Sequence, residues 1–472
     1  MKIQLTTGCL LLTACFSTIL LAGCNVGPKY VRPQMTAPPV YRGADEAEVA
    51  SNTPNSLGDQ QWSAVFHEPE LQDLIRTALA NNYDLRIAAQ HVLEAAAQLR
   101  ITRSQEFPQV SVGGSGVGAN FADGAFGNSI TSPLAIGSLN LSASWTPDFW
   151  GLYRKQTESA RNKMLAEAWA QRAVRMTLVE QVATTYLQLR ALDRQLAIAR
   201  QAAKIRQNSV DLTRTLAQGG DAPLSDVREA EQLLYTATSQ IPQLEQQIQQ
   251  NENAMRLLLG QSPGPIAHSA SGALAPAPEV LPTGLPSQLL ERRPDIQQAE
   301  AQLKAANAQI GVARAQFFPQ LAISASGGTS GGSLSDLFST SGGLVYGIGS
   351  LTQPIFAGGK LRGQLQLSKE QKQEMLLNYQ KTILGALRDV SNALIAVNKQ
   401  RSTREEQEKL VQAAEDATRL ARIRYSGGAT SYLEVLTTDS NLFTAQLNLV
   451  NSQQNESLAL VNLYSALGGG WQ

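Results

Sequence analysis

A chain of 472 residues with 43% hydrophobic side chains can bury sizeable cores, and by length alone it would divide into two or three domains. Only 17% of residues are charged, 39 basic against 39 acidic, so no global field exists to attract nucleic acid, which argues against a nucleic-acid binder. His67, His91 and His268 form no pair at metal-ligand spacing and the cysteines crowd the N-terminus, which argues against a zinc enzyme or a Ser-His-Asp hydrolase and leaves no metal or catalytic site to assign.

Lys2 followed by the apolar run from Leu10 to Leu21 reads as a signal peptide over residues 1–23, the run being too short to span a bilayer comfortably. It ends in Leu21-Ala22-Gly23-Cys24, which resembles the bacterial lipobox. That resemblance implies cleavage before Cys24 and a covalent lipid there, a diacylglycerol plus an N-acyl chain. Asn25 stands where an Asp would signal retention in the inner membrane, so the expected destination is the outer membrane, with the anchor on its periplasmic side. Cys9 and Cys15 leave with the leader, so the mature chain has no disulfide and relies on packing and assembly. No other run of 18 apolar residues occurs, so no transmembrane helix is expected.

After the N-terminal segment 24–65 the chain is written twice. At an offset of 211, Asp84 falls on Asp295, Arg103 on Arg314 and Phe107-Pro108-Gln109 on Phe318-Pro319-Gln320. At an offset of 208, Gly219-Gly220 falls on Gly427-Gly428, Val227 on Val435 and Leu259-Gly260 on Leu467-Gly468. The first repeat is 66–260 and the second 285–468, separated by a proline-rich crossover at 261–284 and followed by a tail at 469–472. A unit of this size is a duplicated fold, not a solenoid.

Each repeat carries the same order of patterns. A helical segment (66–104; 285–316) ends before Phe-Pro, because the residue before proline is pushed out of the helical region. Two strands of alternating character follow, near 108–117 and 139–145, then 320–326 and 344–351. Proline-free runs from Leu152 to Gln218 and from Lys360 to Ser426 then predict helices about 100 Å long. Leu178, Val182, Thr185, Leu189, Leu192, Leu196, Ala199 and Ala203 recur in steps of four and three, as do Ile383, Leu387, Val390, Leu394 and Val397, which is a coiled-coil seam. Gly219-Gly220 and Gly427-Gly428 stop these helices, and Pro223, expected just inside the next helix, opens a return segment ending at Leu259-Gly260. The two shorter helical segments of each repeat should stack end to end beside the long one.

Strands of about ten alternating residues are long enough to cross a bilayer when tilted. One chain supplies four, and open edges cannot face lipid, so other copies must complete the sheet. Two copies would give a filled eight-stranded barrel, whereas three give twelve strands and a lumen.

The stretch Cys24-Asn25-Val26-Gly27-Pro28-Lys29-Tyr30, the block Pro69-Glu70-Leu71 with Asn81-Asn82-Tyr83-Asp84-Leu85, and Leu289-Leu290-Glu291-Arg292-Arg293-Pro294-Asp295 resemble the outer membrane factors, as does Pro354-Ile355-Phe356-Ala357-Gly358-Gly359. The similarity is to the TolC-like family, in its lipoprotein branch of NodT and OprM type, over essentially the whole mature chain. It implies a mainly α fold with a transmembrane β part: a homotrimer whose 12-stranded barrel continues into a periplasmic α-helical barrel. It further implies a passive exit duct for drugs, solvents or metal ions, joined by a periplasmic adaptor to an RND-type inner-membrane transporter.

The resemblance places a constriction beside the glycine turns. Asp226 and Glu434 each lie six residues after the second glycine, so both repeats put an acid at the same point of the return helix, and Tyr425 matches a tip tyrosine. The expectation is a gate of Asp226, Glu434 and Tyr425, with Gly219, Gly220, Gly427 and Gly428 at a periplasmic tip that touches the adaptor. Thr430 departs from the pattern, standing where a relative has a gating arginine. The plainer reading is that both acids complement the helix dipole, at about 0.3 to 1 kcal/mol. The charged run from Arg401 to Lys409 is expected to be a solvated helix face. The Gly- and Ser-rich stretches at 123–127 and 331–335 are expected at loop tips. Two other functions share parts of this pattern: a conduit for secreted polypeptide, and a non-conducting coiled-coil scaffold, which would have no use for the strands.

Overall fold

The computed structural model describes residues 26–35, 38–43, 56–119, 134–267, 282–333, 335–339 and 343–471. The leader, Cys24 and the 123–127 loop lie outside them. In chain order the elements are α1 (Pro69–Asn81), α2 (Tyr83–Ser104), β1 (Gln109–Ala119), β2 (Leu134–Trp145), α3 (Leu152–Gly219) and α4 (Leu224–Leu258). The second repeat supplies α5 (Pro294–Ala315), β3 (Gln320–Gly331), β4 (Gly343–Thr352), α6 (Lys360–Ser426) and α7 (Tyr432–Ala466). Short helical turns at Trp62–Val65 and Leu289–Arg292 precede the first helix of each repeat. No described helix is long and apolar enough to cross a membrane.

The long helices run 68 and 67 residues, as the proline-free stretches predict. The first helical segment differs from expectation, being two helices broken at Asn82. Asn82 is extended at ψ 132°; its Oδ1 accepts from the Leu85 N–H at 3.0 Å and so caps α2. The equivalent break falls at Arg293, extended at ψ 122° because Pro294 follows it. Pro223 is the N-cap of α4, one residue outside the helix, while Pro242 sits within α4 without ending it. The helices before Phe-Pro unwind through i to i+3 bonds, Phe107 N–H to Ser104 O at 3.2 Å and Phe318 N–H to Ala315 O at 3.2 Å.

Contacts divide the chain into two compact units that cut across the repeats. One comprises residues 1–34, 91–167 and 298–379; the other comprises 35–90, 168–297 and 380–472. Each unit draws on both copies, because each copy's helices run through both.

The first unit holds the sheet, antiparallel in the order β1-β2-β3-β4. Its register sorts the side chains. Val110, Val112, Leu139, Leu141, Ala143, Trp145, Leu321, Ile323, Val345 and Leu351 share one face; the other carries Ser111, Ser115, Ser138, Asn140, Ser142, Ser324, Ser326 and Ser330, together with Val117 and Ile136 and the β4 side chains Leu344, Tyr346 and Ile348. Serine hydroxyls bond across strands, Ser111 to Ser142 at 2.9 Å and Ser115 to Ser138 at 2.7 Å. Both faces of β4 are exposed along its whole length. A sheet with one face of mainly apolar side chains and the other bearing its serines, and with no buried residue among the described strand positions, fits lipid on the first and water on the second. An arginine in place of Leu141 on the apolar face is expected to lower barrel stability by about 2 to 4 kcal/mol, read as loss of the folded band on urea titration in lipid; an arginine in place of Ser142 should cost far less.

Also in this unit, the segment after Cys24 lies against α5. Arg32 pairs with Glu300 at 2.9 Å and Lys304 with the same carboxylate at 3.0 Å, while Asn307 Nδ2 donates to Pro28 O at 3.0 Å. Three donors neutralise Glu300, counting the Tyr30 hydroxyl at 3.3 Å, which allows that carboxylate to be buried.

In the second unit the helices of each repeat meet end to end as expected. Asn82 Nδ2 donates to Leu258 O at 3.0 Å, and Arg293 Nη1 donates to Ala466 O at 3.2 Å. These pairs are equivalent under the repeat, so one junction is made twice with different chemistry. The crossover's described ends are packed rather than loose: Leu57 N–H donates to Pro282 O at 2.6 Å, and Ile266 N–H donates to Glu252 Oε1 at 3.0 Å.

Candidate gate at the two glycine turns

Both long helices end in the same cap. Gly220 (φ +85°) and Gly428 (φ +71°) adopt the left-handed conformation. Asp221 N–H reaches back to Leu216 O at 2.9 Å and Ala429 N–H to Arg424 O at 2.8 Å, the six-to-one bond of a Schellman motif. The glycines at 220 and 428 are required by φ, since a β-carbon there is strained. Gly219 and Gly427 are the last residues before them.

The turns are brought together by an apolar cluster drawn from both repeats, Val210, Ala230 and Leu234 with Ala421, Tyr432, Val435 and Leu436. Tyr425 packs against it and meets Tyr432 at 4.9 Å between ring centroids, tilted by 58°. Burial pushes the Tyr432 hydroxyl above its ordinary value, partly offset by its bond with Ser209, so it remains a neutral hydroxyl at physiological pH.

Asp226 and Glu434 occupy the third position of α4 and of α7, with matching backbone bonds of 3.2 Å to Pro223 O and Ser431 O. Their side chains behave differently. Glu434 accepts from Arg424 Nη1 at 2.6 Å and from the Thr430 hydroxyl. Asp226 accepts from the Ser225 hydroxyl at 3.2 Å and has no ion-pair partner among the described residues. The repeat explains this: the positions equivalent to Arg424 and Thr430 are Leu216 and Ala222, which cannot donate. Thr430, the departure from the family pattern, therefore serves its own chain's acid.

Three residues that the sequence reading passed over are central here. Arg206, only 2% exposed, donates through Nε to Asp439 Oδ2 at 2.9 Å and through Nη1 to Leu233 O at 2.9 Å, and its guanidinium lies 4.6 Å from the Phe443 ring centre. Arg422 stands 3.6 Å from the other oxygen of Asp439. Together with Ser209, Leu212 and Tyr425 these side chains line a cleft of about 400 Å³. A signal existed: at the offset of 208, Arg214 falls on Arg422 and Glu231 on Asp439, and Arg214 pairs with Glu231 at 2.9 Å just as Arg422 faces Asp439. The acid–arginine pair is duplicated; Arg206 is an addition, because its equivalent is Ala414.

The run from Arg401 to Lys409 is only partly a solvated face. Lys409 and Glu406 pair in solvent at 2.8 Å, but Arg404 turns into α7 and meets Glu456, 2% exposed, at 2.7 Å. A buried carboxylate on the facing helix draws Arg401 and Arg404 inward.

Residues 74–261 and 285–469 each match the family model described as outer membrane efflux protein, one match per repeat. The chain belongs to the outer membrane efflux protein family. It is 37% identical over 473 residues to the probable efflux pump outer membrane protein TtgC of Pseudomonas putida, covering 98% of this chain and 96% of that one. It is 33% identical over 463 residues to the cation efflux system protein CusC of Escherichia coli, covering 98% and 99%. Among solved structures, one of CusC superposes with a TM-score of 0.83 at 31% identity over 95% of this chain and all of the other. The open state of the Neisseria gonorrhoeae MtrE outer membrane channel gives 0.84 at 27% identity over 95% and 99%. This outer membrane efflux protein has the TolC-like fold, internally duplicated, and serves as the outer-membrane exit duct of an efflux system.

Proposed function

We propose that three copies of the chain form one duct, their four-stranded sheets closing a 12-stranded barrel continuous with a helical tunnel, and that the duct passively conducts small molecules from the periplasm to the exterior. The observation that carries this reading is the sheet: β1 and β4 are its edge strands, one face is mainly apolar, the other bears the serines, and no described strand residue is buried. The glycine turns form the periplasmic mouth, where a periplasmic adaptor docks and links the duct to an RND-type inner-membrane transporter. Three copies of Asp226, whose carboxylate has no ion-pair partner among the described residues of its own chain, ring that mouth with Glu434 and Tyr425 and hold it closed. A diacylglycerol and N-acyl lipid on Cys24 anchors each copy to the inner leaflet of the outer membrane.

Relatives are named for toluene, antibiotic and cation efflux, so small-molecule cargo is common to them while its identity varies. A wide duct need not bind what passes, which assigns selection to the inner-membrane transporter. The test is a deletion strain challenged with drugs, solvents and metal ions, alongside the mass of the purified protein in detergent. Greater sensitivity to at least one class and a mass of three chains are expected; unchanged sensitivity to all would sink the efflux reading.

A further inference from the structure

The repeat makes one interface inside the chain and leaves its image unmade. Within the sheet, β2 of the first copy pairs with β3 of the second, Ser142 opposite Ser326 and Trp145 opposite Ile323. The remaining edges are β4 of the second copy and β1 of the first. The hairpins β1–β2 and β3–β4 coincide when β1 is moved by 211 and β2 by 208, since Gln109 faces Ser144 and Gln320 faces Thr352. A side-chain contact obeys the same rule: Trp145 Nε1 donates to Glu106 O at 3.1 Å, and Gln353 Nε2 donates to Phe317 O at 2.9 Å.

Applying these two shifts to the β2–β3 register gives the pairing of the open edges. Ser142 opposite Ser326 becomes Ser350 opposite Ser115, again a serine pair, and Leu141 opposite Gly327 becomes Gly349 opposite Gly116. Both pairs keep the faces matched, the serines on the hydroxyl-lined face and the glycines on the apolar one.

The loops that follow the strands show the same unmade contact. Between β2 and α3, Trp150 stacks on Phe318 at 4.8 Å and donates to Pro319 O at 2.7 Å. Between β4 and α6, the equivalent loop ends in Gly359 (φ +85°) as the first ends in Gly151 (φ +81°), yet Ile355 and Phe356 are each 91% exposed. Phe107, the equivalent of Phe318, is 54% exposed. Gly358 takes the position of Trp150, so the apolar knob of the second loop sits two residues earlier, at Phe356.

We infer that β4 of one copy pairs antiparallel with β1 of the next in the register Ser350 opposite Ser115, and that Ile355 and Phe356 cover Phe107-Pro108 of that neighbour. This rests on the trimeric reading above and adds its register and its knob. Each of the three seams in the barrel then repeats the β2–β3 seam already present within the chain, so no edge remains.

Within one chain β1 and β4 are separated by β2 and β3, roughly 14 Å at the usual strand spacing, beyond the reach of a disulfide. Any bond between them therefore joins two copies. The experiment oxidises Ser115→Cys/Ser350→Cys and Gly116→Cys/Gly349→Cys in outer membranes and runs non-reducing gels. Adjacent pairs alternate between wide and narrow spacing, so one of the two is at the closer site. A ladder of two and three chains from at least one pair is expected, with none from the single variants. A register-shifted control, Gly113→Cys/Ser350→Cys, should give no ladder. A benzoylphenylalanine at position 356 should photo-crosslink to the peptide containing Phe107. Light scattering of the unmodified protein in detergent separates the outcomes. A trimer in which only the shifted pair bonds, or no pair bonds, overturns the register; absence of the trimer overturns the reading beneath it.

Discussion

Planar bilayers holding the Asp226→Asn, Glu434→Gln variant are expected to pass several-fold more current than the unmodified channel at the same voltage and salt. Each substitution keeps shape and removes a negative charge, so the change reports electrostatics rather than packing. A hydrogen bond to a charged group is worth about 1.5 to 3 kcal/mol, and losing one per chain shifts a closed–open equilibrium by about tenfold or more. The single variants should be unequal. Glu434 is held by Arg424 in an ion pair whose members are 35% and 55% exposed, and such a surface pair contributes little. Asp226 has only Ser225 as a bonding partner among the described residues and is available to a neighbouring chain. Asp226→Asn should therefore carry most of the increase and also relax exclusion of anions. Should the acids serve only the helix dipoles, conductance would stay at its closed-state level while thermal stability fell slightly; that pair of results would end the gate assignment.

Asp439→Asn is expected to destabilise the chain by about 3 to 5 kcal/mol, the cost of breaking a buried ion pair from one side. The substitution strands Arg206, which is 2% exposed, with its Nη2 already lacking an acceptor, and leaves Arg422 nearby as an unbalanced second cation. Loss of helical circular dichroism at a lower temperature is the readout. The double variant Arg206→Met, Asp439→Leu should recover most of the loss, because two apolar groups in a cluster that already contains Val435 and Leu436 need no counter-charge. Equal damage in the single and the double variant would show that shape, not charge, decides this site.

Much of this molecule is written in its pattern. Periodicity places the two long helices to within a residue, because a proline-free run closed by glycine leaves the backbone few alternatives. Alternation locates all four strands and, given their short lengths and open edges, calls for other copies of the chain. The strand ends extend further than the alternation did, to Ala119 and from Leu134, since small residues there weaken the pattern while the ladder continues. The break at Asn82 was hidden for a different reason: asparagine is tolerated within helices, and here its Oδ1 caps α2 at Leu85 while its Nδ2 is held by Leu258 O, 176 positions away.

The candidate gate divides in the same way. The equivalence of Asp226 and Glu434 follows from the duplication, which the sequence determined by itself. That Glu434 is tied by Arg424 and Thr430 while Asp226 is not, that Arg206 is buried on Asp439, and that Arg404 turns inward to Glu456 were decided only by tertiary structure. A repeat copies backbone geometry, because helix ends and strand registers depend on short local patterns. It does not copy the partners of long polar side chains, which depend on which residue the facing helix offers at a few ångströms.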